Sequence, residues 1–250
     1  MMKKLTCAVL LTALGLIACP SQSRAQTDLN WTREVEVTAR SVPNWNQSAK
    51  FNEYRDIHNG VYINLINLGY ARQAKYFDFT ATNVGLDDQR YVLSGGLWGR
   101  FKADVFYDSL PHNFAYGALS MYDPATLGTG DLTLIGARTN AAGAAAWFPN
   151  NSAPVDIGLT RKTTGGDFSY NATDSIKVNF GITNEQREGD RPLFGTFGVS
   201  GTGTMELAEP IDYSTTTYKA GVDYAHTNTF VSMSYSKSDF SNNIDSLTWD

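Results

Sequence analysis

Gly99-Arg-Phe-Lys-Ala-Asp-Val-Phe-Tyr107 is the stretch that decides the fold. Successive side chains of an extended chain point to opposite faces. Phe101, Ala103, Val105 and Tyr107 therefore share one side, and Arg100, Lys102, Asp104 and Phe106 the other. The same two-residue period recurs outward from this point. Phe77, Phe79 and Ala81 alternate with Asp78, Thr80 and Thr82. Ile176, Val178, Phe180 and Ile182 alternate with Lys177, Asn179, Gly181 and Thr183. Tyr218, Ala220, Val222 and Tyr224 alternate with Thr217, Lys219, Gly221 and Asp223, and Val231, Met233 and Tyr235 alternate with serines. A helical period never persists beyond a few residues.

Alternation alone fits a soluble sandwich as well as a membrane barrel. Three features favour the barrel. The polar face carries isolated charges. The apolar face ends in Tyr, Phe or Trp, as aromatic girdles do. Connections alternate in length, with short turns near 71–75, 95–96, 173–175 and 226–229 and longer ones at 83–89, 109–153 and 188–209. Short periplasmic turns opposite long external loops are the outer-membrane pattern. Strands are expected at 61–70, 76–82, 90–95, 98–108, 154–173, 175–187, 211–225 and 229–240, with a further one at 48–58 closed by Asn59-Gly60. Within 154–173 the apolar phase switches from Val155, Ile157 and Leu159 to Phe168, Tyr170 and Ala172. A bulge at Gly165-Gly166 and a tight turn there are the alternatives. The fold expected is all-β, an antiparallel up-and-down transmembrane β-barrel. In hydrocarbon every backbone N–H and C=O must be paired, so a spanning sheet has to close on itself.

Composition agrees. The chain has 250 residues, 18% of them charged against about 25% in ordinary soluble domains. Mean hydropathy is −0.28, and beyond the N-terminus there is no long apolar run. The formal net charge of −5 and the lack of any basic cluster in the mature part argue against a nucleic-acid partner, which needs Lys and Arg to displace counterions.

Met1-Met2-Lys3-Lys4 followed by the apolar stretch Leu5 to Ala18 and by Ser23-Arg24-Ala25 reads as a signal peptide over 1–25, cleaved before Gln26. Leu16-Ile17-Ala18-Cys19 offers a lipobox as the alternative, with Cys19 lipidated. Residues 26–47 are expected to be a periplasmic N-terminal segment, and 48–250 the barrel with long external loops at 109–153 and 188–209. The only cysteines are Cys7 and Cys19, so the mature chain has no disulfide, Cys nucleophile or covalent haem attachment of its own. The 109–153 connection contains Leu110-Pro111-His112-Asn113 and ends in an Ala-rich stretch, Ala141 to Trp147, suited to a short helix. It reads either as a surface loop or as a loop that folds into the pore or onto a partner.

Several stretches resemble the MtrB/PioB family of outer-membrane barrels that associate with decahaem cytochromes. They are Lys50-Phe-Asn-Glu-Tyr-Arg-Asp56, Thr82-Asn-Val-Gly-Leu-Asp-Asp-Gln-Arg-Tyr91, Phe106-Tyr-Asp-Ser-Leu-Pro-His-Asn-Phe114 and Asn243-Ile-Asp-Ser-Leu-Thr-Trp249. The resemblance implies a large barrel in outer-membrane lipid. It would sheathe a periplasmic decahaem c-type cytochrome, with an extracellular multihaem cytochrome as a possible second partner, for metal reduction or Fe(II) oxidation. Haem would be carried by the partner and the barrel would hold no cofactor. The Cys-x-x-Cys pair frequent near the mature N-terminus of the MtrB-like branch is absent here. About eight or nine strands could close only a barrel filled by its own side chains. These residues are therefore expected to form the N-terminal part of a larger barrel.

Catalytic and metal patterns are not found. His58, His112 and His226 lack metal-ligand spacing, and no Gly-x-Ser-x-Gly elbow accompanies His112 and Asp108. The chain is not expected to be an enzyme. Arg100, Lys102, Lys177 and Lys219 fall on the expected lumen side, either as solvated pore lining or as a positive interior for an acidic partner or haem propionates. His112 is expected as a turn residue or a partner contact. A general or substrate-selective porin is the competing function.

Overall fold

The structure, a computed structural model, describes residues 30–42, 48–139, 143–196 and 204–249. The expected signal peptide, its cleavage site and Cys19 lie outside the described residues. Nine strands form one antiparallel sheet: β1 (Trp31–Arg40), β2 (Gly60–Arg72), β3 (Lys75–Val84), β4 (Arg90–Leu97), β5 (Phe101–Ser120), β7 (Ala153–Asn171), β8 (Ile176–Thr196), β9 (Thr204–His226) and β10 (Thr229–Asn242). Each pairs with the next in that order, so the sheet is an up-and-down meander. β6 (Asp131–Leu132) leaves the meander and pairs in parallel with β11 (Thr248–Trp249). Among the described residues β1 and β10 do not pair, so the sheet is open. No described helix is long and apolar enough to cross a membrane.

The register confirms that the alternating sides add up to two continuous faces. Phe101 pairs with Leu97 and Tyr170, Ala103 with Gly95 and Phe168, and Val105 with Leu93 and Gly166. Val178 pairs with Tyr170 and Val222, and Val222 with Met233. These side chains make an apolar belt, and most of its large members are exposed, among them Leu93, Val105, Phe180, Val222 and Met233. Leaving such a surface in water would cost about 25 cal/mol per Å², so it needs a lipid or protein cover. Aromatic rings bound the belt. Near the short turns Trp31 lies 4.8 Å from Tyr70 and 5.9 Å from Phe77. At the other margin Tyr91 stacks on Tyr107 at 6.1 Å.

Several boundaries differ from the sequence reading, each for a physical reason. The sheet begins at Trp31 within the segment expected to precede it. Val35 and Val37 alternate there with Glu34 and Glu36, an alternation too short and too charged to stand out in the sequence. Residues 48–58 form no strand. They turn through Phe51 N–H to Ser48 O and Arg55 N–H to Asn52 O bonds, and Asn59-Gly60 introduces β2 and closes no hairpin. Gly95 and Gly96 sit inside β4, and the turn falls on Trp98–Arg100. Neither a bulge nor a turn occurs at Gly165-Gly166. β7 runs in register there, and the irregularities lie in β5, at Asn113/Ala115 and Ala115/Ala118.

The two long loops are shorter than expected because their strands continue past the belt. Pro111 lies within β5 because β4 has already ended. Ser109 N–H and Asn113 N–H point to that free edge, donating to Gln89 O and Glu53 O at 2.9 Å, so the N–H that Pro111 lacks would have faced the same way. The 188–209 connection narrows to 197–203, outside the described residues, as β8 and β9 pair out to Thr196 and Thr204. The remaining 121–152 connection contains the expected short helix, α1 (Ala144–Trp147). Tyr122 and Leu132 from this connection pack on Met205 and Leu207 of β9, with Leu127, Leu134, Leu193 and Leu247 around them. The loop thus folds onto its own sheet as a small hydrophobic cap.

Candidate functional site

The polar face offers the chemistry. Its rows follow from the same register. Asp104 pairs across β5–β7 with Asp167, and Lys177, Asn179 and Gly181 of β8 lie opposite Asp223, Gly221 and Lys219 of β9. Two carboxylates of this face, Asp104 and Asp223, are held locally. Lys102 Nζ lies 2.9 Å from Asp104, whose other oxygen accepts from Ser94 Oγ at 2.5 Å. Asp223 accepts from Asn179 Nδ2 at 2.8 Å and from Ser232 Oγ at 2.7 Å. A cleft of about 260 Å³ runs over these groups, lined by Asp104, Asp167, Asn179, Lys219, Asp223 and Ser232.

Long side chains of this face lie over glycines of the next strand. A Cβ on Gly165 would stand 2.7 Å from Cζ of Phe106 and 2.9 Å from the Ile182 carbonyl, and one on Gly181 would stand 2.5 Å from Asp167 Oδ1. The glycines let Phe106 and Asp167 lie flat, which keeps the face smooth.

The five residues singled out by sequence do not form one site. Arg100 lies in the β4–β5 turn, and with Lys102 and Lys177 it lines a cleft of about 400 Å³ at the short-turn rim, where Trp98 stacks on Tyr76 at 4.1 Å. Lys219 sits farther along the polar face, opposite Gly181 and Ser236. His112 is well removed, in the part of β5 beyond the belt. It is a strand residue held by Tyr54 at 4.5 Å, Phe114 at 4.1 Å and Glu53 at 3.5 Å. Lys50 bonds the Glu53 carboxylate and holds it below the usual carboxylate range, with His112 adding to the effect.

The sequence reading missed Asp167, Asp223, Asn179, Ser232, Arg161 and Arg187 as site members. Parity along each strand places most of them on the face of Lys102, but their mutual contacts depend on register. Among the described residues, no group of three or more His, Cys, Asp and Glu is arranged to hold a metal ion. The arrangement can solvate and orient a polar surface laid against it. It presents no activated nucleophile.

Residues 44–250 match the family described as outer membrane beta-barrel porin, MtrB/PioB. The chain is also similar to the outer membrane protein MtrB of Shewanella baltica (strain OS185), at 27% identity over 173 residues. That match covers 68% of this chain and 24% of the relative, so the chain spans about a quarter of that protein's length.

Proposed function

This chain belongs to the MtrB/PioB family of outer-membrane β-barrel porins, and from that premise we propose that it forms part of a sheath around a multihaem c-type cytochrome. The barrel insulates and aligns the cytochrome so that electrons cross the outer membrane. A periplasmic decahaem cytochrome fills the lumen, and an extracellular multihaem cytochrome is the possible further partner. The short turns face the periplasm and the capped end faces out.

One observation carries the reading: a belted lipid face backs a polar face of mixed charge, on which Lys102 pairs with Asp104 and Asp223 is held by Asn179 and Ser232. A face of this kind offers hydrogen-bonding groups of both charge signs to a folded, charged protein laid against it. Open edges support it, since β1 and β10 need strand partners in hydrocarbon and a barrel of the relative's full length encloses far more than its own side chains. The barrel supplies no redox centre in this reading; haem enters only with the partner.

A general or substrate-selective porin is the second reading, favoured by the same polar lining. Purification from outer membranes separates the two. The sheath predicts that the full-length protein carries c-type haem absorbance through two affinity steps. A colourless protein that conducts ions in planar bilayers would establish the porin.

A further inference from the structure

Above the belt, on the polar face, Arg161 of β7 and Arg187 of β8 stand directly opposite each other in the register. Like charges facing each other across strands destabilise a sheet unless an anion lies between or beside them. Arg187 has such a counter-charge, Glu185 Oε1 at 2.8 Å from both its Nε and its Nη2. Among the described residues Arg161 has none. Its register partner in β5 is Leu110, and its Nε is buried without a hydrogen-bond partner among the described residues. A buried guanidinium donor left without an acceptor is costly, because it has lost its water and gained nothing in return. Such an atom in a native fold calls for a ligand that satisfies it.

The surroundings define that ligand. Arg161 and Arg187 line a cleft of about 220 Å³ with Leu110, Leu159, His112 and Tyr54. The walls are apolar or aromatic and the polar groups are cationic or, for His112, protonatable. Glu53 is engaged by Lys50 and His112, and Glu185 by Arg187. The surplus positive charge therefore rests on Arg161. Guanidinium forks match oxyanions by paired N–H···O bonds, more selectively than a lysine ammonium does. The cleft's size and lining suit a carboxylate or phosphate group on a short stem, and its residues lie on the polar face, away from the lipid belt.

We infer that Arg161 and Arg187 form an oxyanion-binding site, whose occupant is a carboxylate presented by the molecule inside the barrel. The identity of the occupant rests on the sheath reading, and the site itself does not. Tyr54, on the 48–58 segment that Asn113 N–H ties to β5 through Glu53 O, stacks on His112 and closes one side of the cleft.

The test is calorimetric titration of the detergent-solubilised full-length protein with citrate and, separately, with inorganic phosphate. The site predicts saturable binding of citrate that weakens at least about tenfold in Arg161→Gln and is partly kept in Arg161→Lys, which retains charge without the fork. Lys162→Gln, on the opposite face and paired with Glu188 at 3.5 Å, serves as a control and should bind as wild type does. Binding of phosphate in preference to citrate would point to a phosphate-bearing occupant and overturn the carboxylate assignment. Equal binding by wild type and Arg161→Gln, or none by wild type, overturns the site. If Arg161→Gln loses citrate while the wild-type barrel never retains a haem protein, the site stands and the sheath reading fails.

Discussion

Replacing Ala220 by arginine tests the assignment of the two faces at single-residue resolution. Ala220 faces the belt, between Phe180 of β8 and Tyr235 of β10 and within the stretch bounded by Tyr218 and Tyr224. An arginine near the middle of a spanning strand's lipid face costs about 2–4 kcal/mol. That lowers the folded fraction relative to unfolded by roughly 30- to 1,000-fold, at tenfold per 1.4 kcal/mol. Ser234 lies at nearly the same depth but points to the polar face, opposite Gly221. Its replacement by arginine meets water or a polar occupant and should change stability by less than about 0.5 kcal/mol. The assay is urea-dependent folding of the full-length chain into vesicles, read by tryptophan fluorescence and by heat-modifiable gel mobility. Equal costs at the two positions, or a larger cost for Ser234→Arg, would refute the two-face account.

Three further outcomes follow from particular contacts. Gly165→Ala should destabilise by about 1–3 kcal/mol through overpacking. Adding Phe106→Ala should recover only part of that, because the Ile182 carbonyl still stands 2.9 Å from the new Cβ; the same vesicle titration reads both. Leu207→Ala empties a position 1% exposed beneath the cap and should cost about 2–5 kcal/mol there. It should admit protease to the 121–135 region while the belt keeps its folded gel mobility. Asp190, in the part of β8 beyond the belt, is pushed above the usual carboxylate range by burial, with the Gly128 N–H only partly offsetting this. A raised folded-state pKa contributes stability that is fully present below the unfolded value and fades as pH rises through the folded one. The cap should therefore loosen as pH rises above the ordinary carboxylate range, and Asp190→Asn should flatten that dependence in hydrogen exchange of the Gly128 amide.

The belt was legible because lipid imposes a strict two-residue rule on one face. Phe101 to Tyr107, Ile176 to Ile182 and Tyr218 to Tyr224 obey it, and all three stretches fall in strands on the expected sides. Beyond the belt the rule lapses, since water or a cap can cover either face. Val155, Ile157 and Leu159 thus looked like a change of phase when β7 had none. Pro111 read as loop because its tolerance depends on where the neighbouring β4 stops, a fact held in the register. Gly95-Gly96 and Gly165-Gly166 read as breaks, whereas Gly165 is there to receive the Phe106 ring. The same limit governed the site. Lys102, Lys177 and Lys219 could be placed on a face by parity. The opposition of Lys177 to Asp223, and that of Arg161 to Arg187, required knowing which residues of different strands stand side by side.

Electron transfer across a sealed membrane tests the central claim most directly. The full-length protein, isolated from outer membranes with whatever it retains, would be reconstituted into vesicles that enclose a redox dye, and a membrane-impermeant reductant added outside. The sheath account predicts reduction of the enclosed dye by vesicles that carry both protein and haem, with no leak of the dye itself. Leakage of small solutes together with an unreduced dye would contradict it.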